Sequence, residues 1–191
     1  MKKLVMLVML ALSVMMCSVQ KEEKNDSKAA EGQLPKKVVI GLDDTFAPMG
    51  FKNEKGELVG FDIDLARYVA KKLNMEVEFK PINWDSKIMD LNSGNIDLIW
   101  NGLTITPERA QQTEMSKPYL ANSQVIITRV DSNIKSKADL KGKVVGVQTQ
   151  SSGEEKVKKL GEDKAFKEFK GYAQYDQAFL DLDAKRIDAI V

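Results

Sequence analysis

The chain has 191 residues, of which 43% are hydrophobic and 30% charged, a composition typical of a folded globular protein rather than a disordered or fibrous one. Its 29 basic and 28 acidic residues nearly balance, so no nucleic-acid partner is predicted. The absence of histidine and the single cysteine exclude Ser-His-Asp triads, Cys-His dyads, internal disulfides and the usual zinc clusters, and no cofactor is predicted.

The N-terminus has the pattern of a secretory signal. Two lysines, Lys2 and Lys3, precede the uncharged apolar run Leu4–Met16, as in the charged and hydrophobic regions of such a signal. The run is too short to cross a bilayer comfortably, and it has no polar face of the kind that a core helix would turn to solvent. We therefore predict that residues 1–16 are a signal peptide and that the protein is exported.

The only cysteine, Cys17, directly follows this run and begins a polar tract over residues 17–36. The arrangement resembles a bacterial lipoprotein, which implies that Cys17 is the lipid attachment site and that the tract is a flexible linker to the membrane. Met15 and Met16 stand where lipoprotein signals usually have small residues, so a free thiol on a signal anchor stays open as the alternative. We expect the protein in the periplasm or on the outer face of the cytoplasmic membrane.

The following segment predicts an α/β unit. A β-branched strand over 37–42 precedes a turn, a helix that starts near Gly60 and a strand over 75–82. A helix over 84–91 and a strand over 96–100 complete a β-α-β-α-β order, which is typical of a mostly parallel sheet.

The first helix is expected to bury one face. Ala66, Val69, Ala70 and Leu73 recur at helical spacing, and Asn74 is a plausible stop. These residues should therefore pack against the predicted sheet.

A second unit of the same kind starts after a short helix. Thr106-Pro107-Glu108-Arg109 offers a capping residue, a proline at the first helical position and an acid in the first turn. Strands are predicted over 124–128 and 143–147, and a helix over 152–160 with Gly161 as its stop.

An internal repeat supports two similar lobes. Residues 84–100 align without a gap with residues 175–191, and six of the seventeen positions are identical. Both copies open with an aromatic residue, and aspartates recur at the same steps: Asp85, Asp90 and Asp97, then Asp176, Asp181 and Asp188. The alternative is that two helix-turn-strand units share an apolar pattern by chance. The second copy stops at Val191 within its strand, so we expect the second lobe to be unfinished there.

Three motifs carry a family resemblance. The stretch Gly60–Ala70 (GFDIDLARYVA) resembles the signature of the polar amino-acid family of bacterial solute-binding proteins. Asp43–Pro48 (DDTFAP) precedes it and Asn101–Arg109 (NGLTITPER) follows it, so that the match runs in fixed order from about residue 36 to the end. The resemblance implies an α/β fold of the type II periplasmic-binding kind, with two mostly parallel lobes joined by a hinge. Lobe 1 is expected over 37–122 and an incomplete lobe 2 over 123–191.

The resemblance also implies a function. Such proteins capture an amino acid by lobe closure and deliver it to the membrane subunits of an ABC permease, as monomers and without chemistry. A polar or cationic ligand side chain is favoured, and the chain as it stands is expected to bind ligand poorly. An enzyme of the cyclohexadienyl dehydratase type is the alternative on the same fold, although no acid of this sequence is singled out for that role. A ligand-sensing module of a receptor is a second alternative function.

Arg109 is the first candidate site residue. A guanidinium offers a planar fork that matches a carboxylate, and the arginine of this motif clamps the ligand α-carboxylate in the family. The alternative is a solvated arginine at a helix start. Thr104 and the backbones of Asn101 and Gly102 follow a strand end, where open sheets place ligands, and resemble the family's hydrogen-bonding shelf. Thr104 could equally cap a turn.

The remaining candidates line the expected cleft. Phe46 should stack on the ligand side chain and Trp84 should close another wall, although both aromatics are also candidates for the core. Ser151 and Ser152 follow the strand over 143–147 and are expected to meet a carboxylate at a helix N-terminus, with an N-cap role for Ser152 as the alternative. Asp43 matches a position that meets a cationic ligand side chain, or it forms a turn.

Overall fold

The computed structural model describes residues 34–191. The predicted signal peptide, Cys17 and nearly all of the predicted linker lie outside the described residues. Ten strands occur in this part of the chain: β1 (Lys37–Leu42), β2 (Thr45–Phe46), β3 (Gly50–Lys52), β4 (Leu58–Val59), β5 (Glu76–Pro81), β6 (Leu98–Ile99), β7 (Ile127–Thr128), β8 (Val144–Gln148), β9 (Glu168–Tyr172) and β10 (Ala189–Ile190). The α-helices are α1 (Phe61–Lys72), α2 (Lys87–Asn92), α3 (Pro107–Ala110), α4 (Ser152–Leu160) and α5 (Tyr175–Asp183). Short 3₁₀ helices lie at Trp84–Ser86, Lys137–Leu140 and Glu162–Ala165.

The first sheet has the strand order β5-β1-β6, and both pairs are parallel, as the sequence predicts. β1 is central and pairs with β5 along its whole length. Its β-branched residues Val38 and Ile40 are buried and pack with Ala66 of α1. Burial of these side chains removes apolar surface from water and holds α1 against the sheet.

The second sheet has the order β7-β10-β8-β9, with β8 parallel to both of its neighbours and β7 antiparallel at the edge. One face packs against α5, where Ala178, Leu182 and Ile187 are buried. On the other face Val145 and Ala189 pack with Leu140. Two separate cores therefore lie on the two faces of this sheet.

The structure bears out the internal repeat. β6 and β10 occur at matching positions of the two copies, and each is parallel to the central strand of its sheet. The aspartate before each strand makes the same contacts: Asp97 Oδ2 accepts from the Val39 N–H at 2.7 Å, and Asp188 Oδ2 accepts from the Val144 N–H at 2.8 Å. In return, Asp97 and Asp188 donate their own N–H groups to the carbonyls of Val39 and Val144. These reciprocal bonds give a physical reason for the paired aspartates.

A glycine also recurs in the two central strands. A Cβ on Gly41 would lie 2.5 Å from Cδ1 of Ile96, and one on Gly146 would lie 2.7 Å from Cδ1 of Ile187. The two isoleucines are equivalent in the repeat. Each glycine therefore makes room for the same isoleucine in its own half.

The predicted face of α1 is partly wrong. Ala66 and Ala70 are buried, whereas Val69 is only half-buried and Leu73 is 47% exposed. Leu73 follows the last helical residue and lies outside the packed face. Asn74, the predicted stop, adopts a positive φ of 54° just after the helix, a conformation that asparagine tolerates better than most residues.

Three predicted elements are shorter or different in type. The helix predicted over 84–91 begins as the 3₁₀ helix Trp84–Ser86 and becomes α-helical only at Lys87. The strand predicted over 96–100 is regular only at Leu98–Ile99, although the Trp100 N–H still donates to the Gly41 carbonyl. The strand predicted over 124–128 is regular only at Ile127–Thr128, because its partner β10 offers only two residues for pairing.

Two helix starts follow from local capping chemistry. Thr106 Oγ1 accepts from the Arg109 N–H at 3.3 Å, and Pro107 occupies the first turn of α3, as predicted. At α4 the N-cap is Ser151, whose Oγ accepts from the Glu154 N–H at 3.2 Å. The N-cap alternative for Ser152 is therefore wrong. Gly161 ends α4 in the left-handed conformation, as predicted.

The small antiparallel sheet β2-β3-β4 follows the end of β1 and carries Phe46. Among residues 34–191, none of the helices has both the length and the apolar character that a membrane span requires.

Candidate functional site

The candidate site lies where the central strands of the two sheets end. Asp43 follows β1, Gln148 ends β8, and Nε2 of Gln148 donates to Oδ2 of Asp43 at 2.8 Å. Both residues are 3% exposed. The other oxygen of Asp43 accepts from the N–H and the hydroxyl of Thr45. Asp43 therefore forms a turn, as one reading of the sequence predicts, and also joins the two sheets.

Arg109 reaches this junction from α3 and is 4% exposed. Its Nη1 donates to the Thr104 carbonyl at 2.9 Å, and its Nη2 donates to the Gln150 carbonyl at 3.2 Å. Nη2 also forms an ion pair with Oε1 of Glu155 at 2.9 Å, although the Glu155 side chain is 38% exposed. Arg109 is thus buried between the two strand-end loops and is not a solvated arginine at a helix start. Its fork already holds one carboxylate.

Two hydroxyls meet across the junction. Thr104 Oγ1 lies 3.1 Å from Oγ of Ser152, the first residue of α4. Amide side chains from the segment between the two sheets bind both hydroxyls: Asn122 Nδ2 donates to Thr104 and Gln124 Nε2 donates to Ser152. The hydroxyls of Thr104 and Ser152 are therefore hydrogen bonded to each other and to the segment that carries Asn122 and Gln124.

Aromatic rings form another part of the junction. The rings of Phe46 and Tyr175 have centroids 6.0 Å apart at an interplanar angle of 32°. The Tyr175 hydroxyl donates to the Val191 carbonyl at 3.1 Å and lies 3.5 Å from Oγ of Ser151. Burial raises the pKa of Tyr175, so its hydroxyl stays protonated and available as a donor at neutral pH.

The loop after β6 contacts two of the site residues, Asp43 and Phe46. The Asn101 Oδ1 accepts from the Asp43 N–H at 3.2 Å, while its Nδ2 has no hydrogen-bond partner among the described residues. Gly102 has a positive φ of 61° and lies against Phe46. Burial raises the pKa of Asp62 beneath this loop, and hydrogen bonds from Tyr119 and the Gly102 backbone oppose that rise.

Trp84 and Lys87 approach the same junction from the first lobe. Trp84 is 8% exposed, and the Lys87 ammonium lies 4.9 Å from the centre of its ring. Lys87 Nζ donates to the carbonyls of Trp84 and Gln150, each at 2.9 Å. Gln150 has a φ of 58°, a conformation that residues other than glycine rarely adopt.

All nine predicted residues lie along this one junction, linked by the contacts given above. The sequence analysis did not single out several others that take part, among them Lys87, Asn122, Gln124, Gln148, Gln150, Glu155 and Tyr175. The repeat contained a signal for one of them, because Tyr175 is the counterpart of the candidate Trp84. Gln150 and Glu155 have no equally clear signal in the sequence.

The model of the bacterial extracellular solute-binding proteins, family 3, matches residues 38–190. The chain belongs to this family. Its predicted α/β architecture with two mostly parallel sheets is confirmed by the topology above and by solved structures of relatives.

Relatives within the family are named for the amino acids that they bind. The arginine-binding extracellular protein ArtP of Bacillus subtilis is 41% identical over 132 residues, which are 69% of this chain and 51% of that protein. The histidine-binding periplasmic protein of Salmonella typhimurium is 37% identical over 166 residues, 86% of this chain and 64% of that protein. A substrate-binding protein of an ABC uptake transporter from Streptococcus pneumoniae, solved with bound histidine, superposes with a TM-score of 0.79 at 40% identity and covers 81% of this chain and 65% of its own. The chain thus spans about half to two thirds of the length of these relatives.

Proposed function

We propose that this solute-binding protein captures an L-amino acid between the strand-end loops of its two lobes and serves an ABC importer. The observation that carries the proposal is the convergence of Thr104 in the loop after β6, Arg109 of α3 and Ser152 of α4, which are joined by hydrogen-bonding distances. A guanidinium and two hydroxyls are suitable partners for an α-carboxylate. In this proposal the ligand stabilises a closed arrangement of the lobes, because it contacts both loops at once.

The remaining candidates have supporting roles in the same proposal. Phe46 and Trp84 form walls against the ligand side chain, and Asn101 and Gly102 shape the loop beneath it. Ser151 orients α4 through its cap and contributes to the carboxylate pocket. Asp43 holds the two strand ends together. No step in this scheme requires covalent chemistry, and the relatives named above are binding proteins, which supports capture rather than catalysis.

The proposal is tested by calorimetric titration of the full-length protein with each of the twenty amino acids. We expect heat from one amino acid or a small group of chemically related ones. Absence of heat with all twenty would refute the proposal. Prephenate is included as a further titrant, with product detection for phenylpyruvate, because formation of phenylpyruvate would favour the dehydratase alternative.

We also propose that the protein is exported and anchored through Cys17, as a monomer that docks on the permease. The signal-like residues 1–16 and the polar tract after Cys17 support this part. Cells that express the full-length protein are fed an alkyne-labelled fatty acid, and the label is expected on the wild type and not on Cys17→Ser. Equal labelling of both proteins, or of neither, would contradict the anchor.

A further inference from the structure

Lys87 is a buried cation at the junction between the lobes. It opens α2 and is 3% exposed, although lysine is rarely buried without an acidic partner. Its Nζ donates to the carbonyls of Trp84 and Gln150, and Gln150 belongs to the facing loop after β8. An ammonium has three N–H donors, and no third acceptor is present for it among residues 34–191. The third donor is therefore left for the Trp84 ring, whose centre lies 4.9 Å from Nζ, or for an oxygen acceptor of a ligand.

The Gln150 carbonyl accepts from a second cation as well. Arg109 Nη2 donates to the same oxygen at 3.2 Å, so an ammonium and a guanidinium converge on one neutral acceptor. Arg109 has Glu155 as an ionic partner, whereas Lys87 forms no salt bridge within the described residues. The left-handed backbone at Gln150 turns its carbonyl towards both groups at a conformational cost. The junction therefore carries a local excess of positive charge at this oxygen.

The pKa of Lys87 is consistent with this geometry. The pKa is lowered from 10.5 to about 8, chiefly by burial and secondly by the positive charge of Arg109. Glu155, Asp85 and Glu154 act in the opposite direction. At neutral pH the lysine is still largely charged.

We propose that Lys87 determines the specificity of the site: it rejects amino acids with cationic side chains and favours side chains that end in an oxygen acceptor, an amide or a carboxylate. The proposal rests on the function proposed above. A ligand guanidinium or ammonium near Trp84 would face the charge of Lys87 at short range in a dry site, where repulsion is weakly screened. An amide or carboxylate oxygen would instead accept from the ammonium.

The acidic residues of the junction do not cancel this preference. The Asp43 carboxylate accepts from Thr45 and Gln148, and the Glu155 carboxylate is paired with Arg109. Both acids therefore have partners within the chain. Under this proposal the ligand side chain is polar and uncharged or acidic, whereas the sequence favoured a polar or cationic one.

The test compares wild-type, Lys87→Met and Lys87→Gln full-length proteins at pH 7, by calorimetric titration with glutamine, glutamate, arginine and lysine. Lys156→Met is the matched control, because Lys156 is exposed on α4 and its substitution removes the same charge. The wild type and the control are expected to bind glutamine or glutamate at least about tenfold more tightly than arginine or lysine. Both Lys87 variants should reduce that ratio by about tenfold or more. Lys87→Gln keeps a polar side chain of similar length, so the test still decides if Lys87→Met fails to fold.

The outcomes separate the two proposals. The role of Lys87 is overturned if the wild type prefers arginine or lysine. It is also overturned if the affinity ratio of both variants stays within twofold of the wild-type ratio. In either case amino-acid binding itself stands. An equal loss of affinity for all four ligands also overturns it, because it would place Lys87 at the common α-carboxylate. Absence of heat from all twenty amino acids overturns the proposed function and the role of Lys87 together.

Discussion

Asp43 and Gln148 occupy the same step of the two central strands and hydrogen bond directly to each other. Gly41 and Gly146 pair with Ile99 and Ile190, which are equivalent in the repeat, and Asp43 and Gln148 each lie two residues after one of these glycines. The 2.8 Å bond from Gln148 Nε2 to Asp43 Oδ2 therefore joins the ends of the two strands. Removal of one partner would leave the other buried without it.

We expect Gln148→Leu to lower the free energy of unfolding by about 1–3 kcal/mol, because the buried Asp43 carboxylate loses a hydrogen-bond donor. Urea unfolding monitored by circular dichroism measures this change. Gln177→Leu is the control, because Gln177 is exposed on α5 and its substitution should change stability by less than about 0.5 kcal/mol. Equal stability of both variants would show that the bond contributes nothing.

Local signals explain what the sequence predicted well. The β-branched run of β1, the capping residue of α3 and the stop residue of α4 act over a few neighbouring residues, and these elements were placed within one or two residues. The repeat predicted β10 from β6, because the aspartate before each strand makes the same bonds. The short strand β7 was overestimated, because its length depends on a partner that is distant in the sequence.

The missed site residues depend on contacts between the halves. Lys87 and Gln150 are separated by 63 positions, and the sequence near either residue does not predict the hydrogen bond between them. Arg109 and Glu155 are likewise brought together only by the arrangement of the two sheets. A motif identifies the residues of one loop, whereas the partner that each residue meets is a property of the whole fold.

Arg109→Met is expected to weaken amino-acid binding by about 100-fold or more, because a buried charge-assisted contact to the α-carboxylate is lost. Arg109→Lys should fall between this variant and the wild type, because an ammonium keeps the charge but loses the planar fork. Calorimetric titration of the full-length protein measures both affinities. Arg67→Met, on the exposed side of α1, is the control for loss of one positive charge. Unchanged affinity in Arg109→Met would remove Arg109 from the site.

Glu155→Gln is expected to raise ligand affinity by about three- to tenfold. The Glu155 carboxylate occupies Nη2 of Arg109 at 2.9 Å, so it competes with an incoming α-carboxylate for the same donors. A neutral amide is a weaker competitor for Arg109. The substitution therefore stabilises the closed form with ligand relative to the form without ligand. Glu168→Gln, on β9 and exposed, is the matched control. Weaker binding in Glu155→Gln would indicate that Glu155 supports Arg109 instead of competing with the ligand.

The stability of the protein should depend on pH through Lys87. Its folded-state pKa is lowered to about 8, mainly by burial, against 10.5 for the ordinary side chain. Between these values the unfolded chain binds more protons than the folded one, so a rise in pH favours the folded state in that window. Below about pH 8 the cost of burying the charge is fully present. We therefore expect the contribution of Lys87 to make the protein more stable as the pH rises from about 8 towards 10.5.

The measurement is the difference in unfolding free energy between wild type and Lys87→Met, obtained by urea unfolding at a series of pH values from 7 to 10.5. Other titrating groups contribute to both proteins and cancel in this difference. Relative to the wild type, Lys87→Met should be most stable at pH 7. As the pH rises and the lysine loses its proton, the unfolding free energy of the wild type should increase relative to that of the variant. Lys156→Met should show no such trend. A difference that is independent of pH would mean that the ammonium has a normal proton affinity and is less isolated from water than its 3% exposure indicates.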